Sequence, residues 1–215
     1  MMCWVAADVF EIFSAFFYEK TAWELIAVGF GIAYLVLAMK ESLWCWPAAL
    51  VSTVIYTWLF WHVALLMDSA LNVYYMLMAV YGFWSWSNQE KHNSDATKLS
   101  IATWSLPVHL LAVFGVVVVS IFSGYLLSGY TEAAWPYLDS FTTWGSVLTT
   151  YMVAKKILEN WVYWIVIDAV AMLLYVERGL YPTAMLFFIY LILCVFGFIA
   201  WQKKYREQYA KSVLA

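Results

Sequence analysis

The chain has 215 residues, of which 66% are hydrophobic, 20% aromatic and only 12% charged. A soluble domain averages about 45–50% apolar and 25% charged residues, so no soluble fold of this size can hide the excess, and the natural solvent is a bilayer. The net charge of −3 says little in such a chain and gives no sign of a nucleic-acid partner; the distribution of charge carries the information.

The first twenty residues, "MMCWVAADVFEIFSAFFYEK", lack the basic start and small-residue cleavage site of a signal peptide, so residues 1–22 read as a short amphipathic segment on the extracytoplasmic surface. Apolar runs of about 20 residues cross a bilayer as helices. Seven follow, at 23–39, 44–61, 65–86, 104–128, 136–154, 161–176 and 182–201. Only "HVAL" separates the second from the third, which predicts a tight helical hairpin, and the sixth and seventh form another. The second run carries Ser52 and Thr53, with Pro47 near its start, where proline is easily accommodated. The third places Asp68, Asn72 and Tyr75 on one stripe; Asp68 can cap the helix or face water, whereas Asn72 is deep enough to need a partner. Residues 87–128 comprise an exposed loop, "SNQEKHNSDATKLS", and a linker helix with His109 near its start. The fifth run sets Asp139, Thr142, Ser146 and Thr149 on one face, where small hydroxyl residues commonly serve helix packing.

The sixth run opens with "NWVYWIVID". At about 100° per residue, Trp161, Trp164 and Asp168 share one stripe of a helix. An acid inside a span costs about 2.5–3.5 kcal/mol on insertion scales and is a functional hypothesis by default. Two readings stand: stacking surfaces beside a carboxylate that hold a flat cationic molecule, or an interfacial tryptophan anchor and a structural acid. After the seventh run, residues 202–215 form a basic tail.

Seven spans put the termini on opposite sides. One side holds Lys20 and Arg178, the other the remaining nine of eleven basic residues, so the N-terminus is expected outside and the C-terminus in the cytoplasm. Sliding the chain against itself by 115 residues aligns "YGFWSW" (81–86) with "FGFIAW" (196–201), Tyr75 with Tyr190, Trp46 with Trp161, Lys40 with Lys155 and Glu24 with Asp139. The expectation is two three-helix repeats, 23–86 and 136–201. A single linker helix between them restores the direction of the first, so the repeats run parallel, a plan that transporters use with the substrate near the midplane.

Hydrolase, P-loop, zincin and deaminase patterns are absent, and the three cysteines, Cys3, Cys45 and Cys194, suggest neither a disulfide framework nor a metal site. No catalytic, cofactor or metal residues are therefore expected.

The stretch "ENWVYWIVIDAVAMLLYVERGLYPTAMLFFIYLILCVFGFIAW", with its W-x-x-W pair, "GLY" turn and closing "GFxxW", resembles the C-terminal half of the PnuC family of nicotinamide riboside (B-vitamin) transporters. "WPAALVSTVIYTWLF" and "YGFWSW" resemble its first half, and the likeness covers about residues 23–201. It implies an all-α integral membrane fold of seven transmembrane helices in a 3+1+3 parallel-repeat, SWEET-like arrangement. It further implies a multi-pass protein of the bacterial inner membrane that takes up nicotinamide riboside by facilitated diffusion, with the product trapped by a cytoplasmic kinase that phosphorylates it. A substrate site of Trp161, Trp164, Asp168, Asn72, Ser52 and Tyr75 follows, with the tryptophans on the heteroaromatic ring and Asn72 on the polar part. Family members with Asn in place of Asp168 leave thiamine, also flat and positive, as the alternative substrate. A membrane-embedded enzyme using Asp168, Asp139 and Glu24 ranks below both, and assembly as a homo-oligomer is left open.

Overall fold

The computed structural model describes residues 22–62, 66–92, 101–130, 135–177 and 179–214. The segment expected to lie on the membrane surface falls, but for Ala22, outside the described residues. Seven α-helices are described: α1 (Ala22–Met39), α2 (Cys45–His62), α3 (Leu66–His92), α4 (Leu106–Tyr130), α5 (Pro136–Ala154), α6 (Asn160–Glu177) and α7 (Tyr181–Leu214). Among the described residues there is no strand, only an isolated bridge between Ala102 and Ile157.

The chain is an all-α integral membrane protein. Four helices, α1, α4, α6 and α7, qualify as spans on mean hydropathy alone, at 1.9, 2.5, 1.3 and 2.5. The others fall short for identifiable reasons: α2 is rich in Trp and Tyr, α3 carries Asp68, Asn72 and Ser85, and α5 is studded with Ser and Thr. Helix boundaries follow the apolar runs closely except that α3 continues to His92 and α7 to Leu214. Nothing in "SNQEKH" or "QKKYREQYAKSVL" breaks a helix, so both run on past the apolar zone.

Helices adjacent in the chain pack together within α1–α3 and within α5–α7. The two groups meet through α3 against α5 and α1 against α7, while α4 lies mainly on α5. Large side chains of α4 such as Leu110, Leu111, Phe114, Phe122 and Tyr125 point outward, as a lipid-facing helix requires. The interior is aromatic at one end. Trp46 meets Trp86 edge-on, with ring centroids 5.3 Å apart at 84°, and Trp161 meets Trp201 at 5.4 Å and 88°. Each pair needs a glycine: a Cβ on Gly82 would strike the Trp46 ring, and one on Gly197 the Trp161 ring.

The same end carries a buried ionic knot. Glu41, just after α1, and Lys156, just after α5, both have a φ of 52°. Each closes its helix with paired backbone bonds: Glu41 and Ser42 donate to Ala38 and Leu37, and Lys156 and Ile157 to Val153 and Met152. This is the Schellman arrangement, in which glycine is the usual residue because other side chains resist a positive φ. Here the strained positions hold opposite charges that meet, with Lys156 Nζ 3.0 Å from Glu41 Oε2 and Lys204 Nζ 2.7 Å from Oε1. The Lys156 ammonium also lies 4.6 Å from the centroid of Trp86. Burial alone would raise the Glu41 carboxyl, but the ammoniums of Lys156 and Lys204 outweigh it and hold the pKa below the ordinary range.

Candidate functional site

The buried residues of α6 are Asn160, Trp161, Ile167, Asp168, Ala171 and Leu174, so the stripe seen in the sequence is the inward face. Asp168 lies midway along the helix and is 5% exposed. Its Oδ2 accepts the thiol hydrogen of Cys194 on α7 at 3.8 Å, and its Oδ1 takes no hydrogen bond among the described residues. Tyr75 of α3 and Tyr190 of α7 are electrostatic neighbours of this carboxylate, and Tyr34 of α1 adjoins Cys194 and Tyr75. All three tyrosines are enclosed by protein yet keep part of their surface accessible, which means that they border space inside the bundle. No Lys or Arg lies in the membrane-spanning stretches of any helix, so no side chain offers Asp168 a counter-charge.

The other expected residues distribute as follows. Tyr75 reaches into the cluster and lies within hydrogen-bonding reach of Ser146. Ser52 is buried and donates to the Ala27 carbonyl at 2.8 Å, which staples α2 to α1. Asn72 is buried, but its Nδ2 donates to the Asp68 carbonyl one turn back at 2.9 Å, leaving only its side-chain oxygen for another group. The hydroxyls of Thr142, Thr149 and Thr150 back-bond within α5, as a packing role predicts.

The two tryptophans part company. Trp161 is 1% exposed, wedged on Gly197 and edge-on to Trp201, with its indole Nε1 sealed and unpaired. It therefore sits in the aromatic core and not at the carboxylate. Trp164, one turn nearer Asp168, is only partly buried and packs against that core from the side. An apolar groove of about 560 Å³ between α2 and α3, lined by Val54, Trp58, Trp61 and Val73, opens on the outer surface and contains none of the cluster.

Tyr34, Tyr190 and Cys194 were not among the residues expected from sequence. Tyr190 carried a signal, since the 115-residue offset pairs it with Tyr75. Tyr34 and Cys194 carried none: an isolated tyrosine or cysteine in an apolar run is indistinguishable from packing.

Comparison with known proteins gives the same outline. Residues 21–203 match the family described as nicotinamide mononucleotide transporter. The chain is similar to the riboflavin/roseoflavin transporter RibM of Streptomyces davaonensis, 24% identical over 96% of this chain and 95% of that one. It is also similar to the nicotinamide riboside transporter PnuC of Escherichia coli, 20% identical over 91% of each chain. The crystal structure of the vitamin B3 transporter PnuC superposes with a TM-score of 0.73, covering 96% of this chain and 92% of that one at 20% identity, so the fold is shared. The protein belongs to this PnuC-type family of membrane transporters.

Proposed function

We propose that this transporter carries a flat, positively charged vitamin nucleoside, nicotinamide riboside first, by facilitated diffusion across the bacterial inner membrane. Phosphorylation by a cytoplasmic kinase makes uptake directional. The observation that carries the reading is Asp168, a buried mid-helix carboxylate with one oxygen on a thiol and the other untaken. A carboxylate isolated in a low-dielectric interior is costly unless a cation or proton meets it, and the ligand's pyridinium supplies the cation. Trp164 faces the ring, Tyr75 and Asn72 serve the polar part, and Ser52 supports the wall. Trp161 acts from behind, as a packed anchor for the start of α6.

We also read the chain as two parallel three-helix repeats, α1–α3 and α5–α7, joined by α4, with the N-terminus outside. Support comes from features recurring at the same interval: the glycine-seated tryptophans, the strained helix ends and the α3–α5 and α1–α7 seams. The orientation rests on the charge distribution of the sequence.

The likeness to RibM favours a second reading, riboflavin, whose ring carries no positive charge. Titration of purified protein with nicotinamide riboside, thiamine and riboflavin, read by tryptophan fluorescence, separates them. The cationic reading expects tight quenching by the riboside that weakens at least tenfold in Asp168→Asn. Thiamine binding more tightly would name that vitamin instead. Tight riboflavin binding, indifferent to Asp168→Asn, would overturn the cationic reading.

A further inference from the structure

The two tyrosines beside Asp168 occupy equivalent places 115 residues apart, yet their surroundings differ. Tyr75 meets Ser146 of α5. Tyr190 meets Gly31 of α1, and positions 31 and 146 stand at the same interval. A Cβ on Gly31 would lie 3.2 Å from the Tyr190 hydroxyl and 3.5 Å from Ser52 Oγ. The α1 backbone thus comes close to Tyr190 but offers it no side-chain group, where Ser146 offers Tyr75 a hydroxyl. Ser52 does not replace it, being committed to the Ala27 carbonyl at 2.8 Å. The Tyr190 hydroxyl makes no hydrogen bond among the described residues and is not sealed away.

We infer that Gly31 is a specificity-determining position: it withholds from Tyr190 the hydroxyl that Ser146 gives to Tyr75. The Tyr190 oxygen is left free to bond a ligand hydroxyl beside Asp168. The hydroxyl-bearing half of the ligand accordingly lies on the α1–α6–α7 side of the interior, and Tyr75, already engaged, forms the opposite wall. The inference rests on the reading that the Asp168 cluster holds the substrate.

The experiment is a double-mutant cycle of Gly31→Ser and Tyr190→Phe with two readouts. In ligand-free protein, Gly31→Ser raises the Tm because the new hydroxyl pairs with Tyr190, and the gain disappears in the Tyr190→Phe background. Each single variant weakens nicotinamide riboside binding by about tenfold, the value of one hydrogen bond, and the double variant is no weaker. Binding of 1-methylnicotinamide, which keeps the cationic ring and lacks the sugar, changes little. Gly31→Ala, well tolerated in a helix, separates crowding from hydrogen bonding. If Gly31→Ala weakens binding as much as Gly31→Ser, or if the Tm gain persists alongside Tyr190→Phe, the inference is overturned. If wild-type protein binds none of the vitamins while the Tm coupling holds, the substrate reading fails and the withheld partner stands.

Discussion

Trp161 and Trp164 show how one sequence signal divides into two jobs. Both lie on the inward face of α6, but a helical stripe fixes only direction, and what lies opposite depends on another helix. Gly197 of α7 lets that helix press on the Trp161 ring, so the tryptophan nearer the helix start is consumed by packing. Nothing in "NWVYWIVID" could reveal this; the cue was "YGFWSW" aligned with "FGFIAW", in which a glycine recurs opposite each wedged tryptophan. The two roles predict different losses. Trp164→Ala weakens nicotinamide riboside binding by about 1–3 kcal/mol, the range for stacking on a base, and wild-type affinity would remove its assignment to the ring. Gly197→Ala forces the Trp161 ring to move and costs about 1–3 kcal/mol of stability, lowering the Tm. Affinity measured well below that Tm stays within a few-fold of wild type; a selective loss of binding would move Trp161 into the site.

At the scale of elements, two helix ends are closed in an unusual way. The sequence marks α1 and α5 as apolar runs closed by Lys40 and Lys155, a pattern that reads simply as positive charge on the cytoplasmic side. The structure adds that the next residue in each case adopts a left-handed conformation, which a glycine would take without strain. The compensation is the ion pair between Glu41 and Lys156, both almost wholly buried. No local pattern announces it, because its partners are 115 residues apart and each looks like an ordinary loop charge. Replacing Glu41 by Gln leaves Lys156 buried without its partner and costs about 3–5 kcal/mol. Adding Lys156→Met recovers part of the loss. The pH dependence has a definite sign. The Glu41 pKa is depressed in the folded state, so its stabilisation is complete above the ordinary carboxylate range and is lost as pH falls through the lower, folded value. Thermal melts of wild type and Glu41→Gln in detergent thus differ most near neutral pH and converge in acid. A constant gap down to about pH 3, below the ordinary carboxylate range, would show that the carboxylate's charge contributes nothing.

Across the whole molecule, the sequence exposed the spans because bilayer solvation acts on every residue of a helix at once, and it exposed the repeat because register survives where side chains diverge. It could not expose the interior cluster, which is assembled from α1, α3, α5, α6 and α7 and exists only after packing. That assembly also bears on energy. The charges of Glu41, Lys156 and Lys204 are paired with one another at one end, and the spans contain no basic residue to relay a counter-ion past Asp168. The cluster therefore offers a cationic ligand a place to rest but couples its passage to no second charge. Purified protein in liposomes should equilibrate nicotinamide riboside between the two sides at a rate that ionophores leave unchanged. The inside concentration should level off at the outside value, and it should rise above that value only when a kinase and ATP are sealed within. Accumulation in empty vesicles driven by an imposed proton or sodium gradient would show instead that the carboxylate carries an ion along with the vitamin, and facilitated diffusion would have to be abandoned.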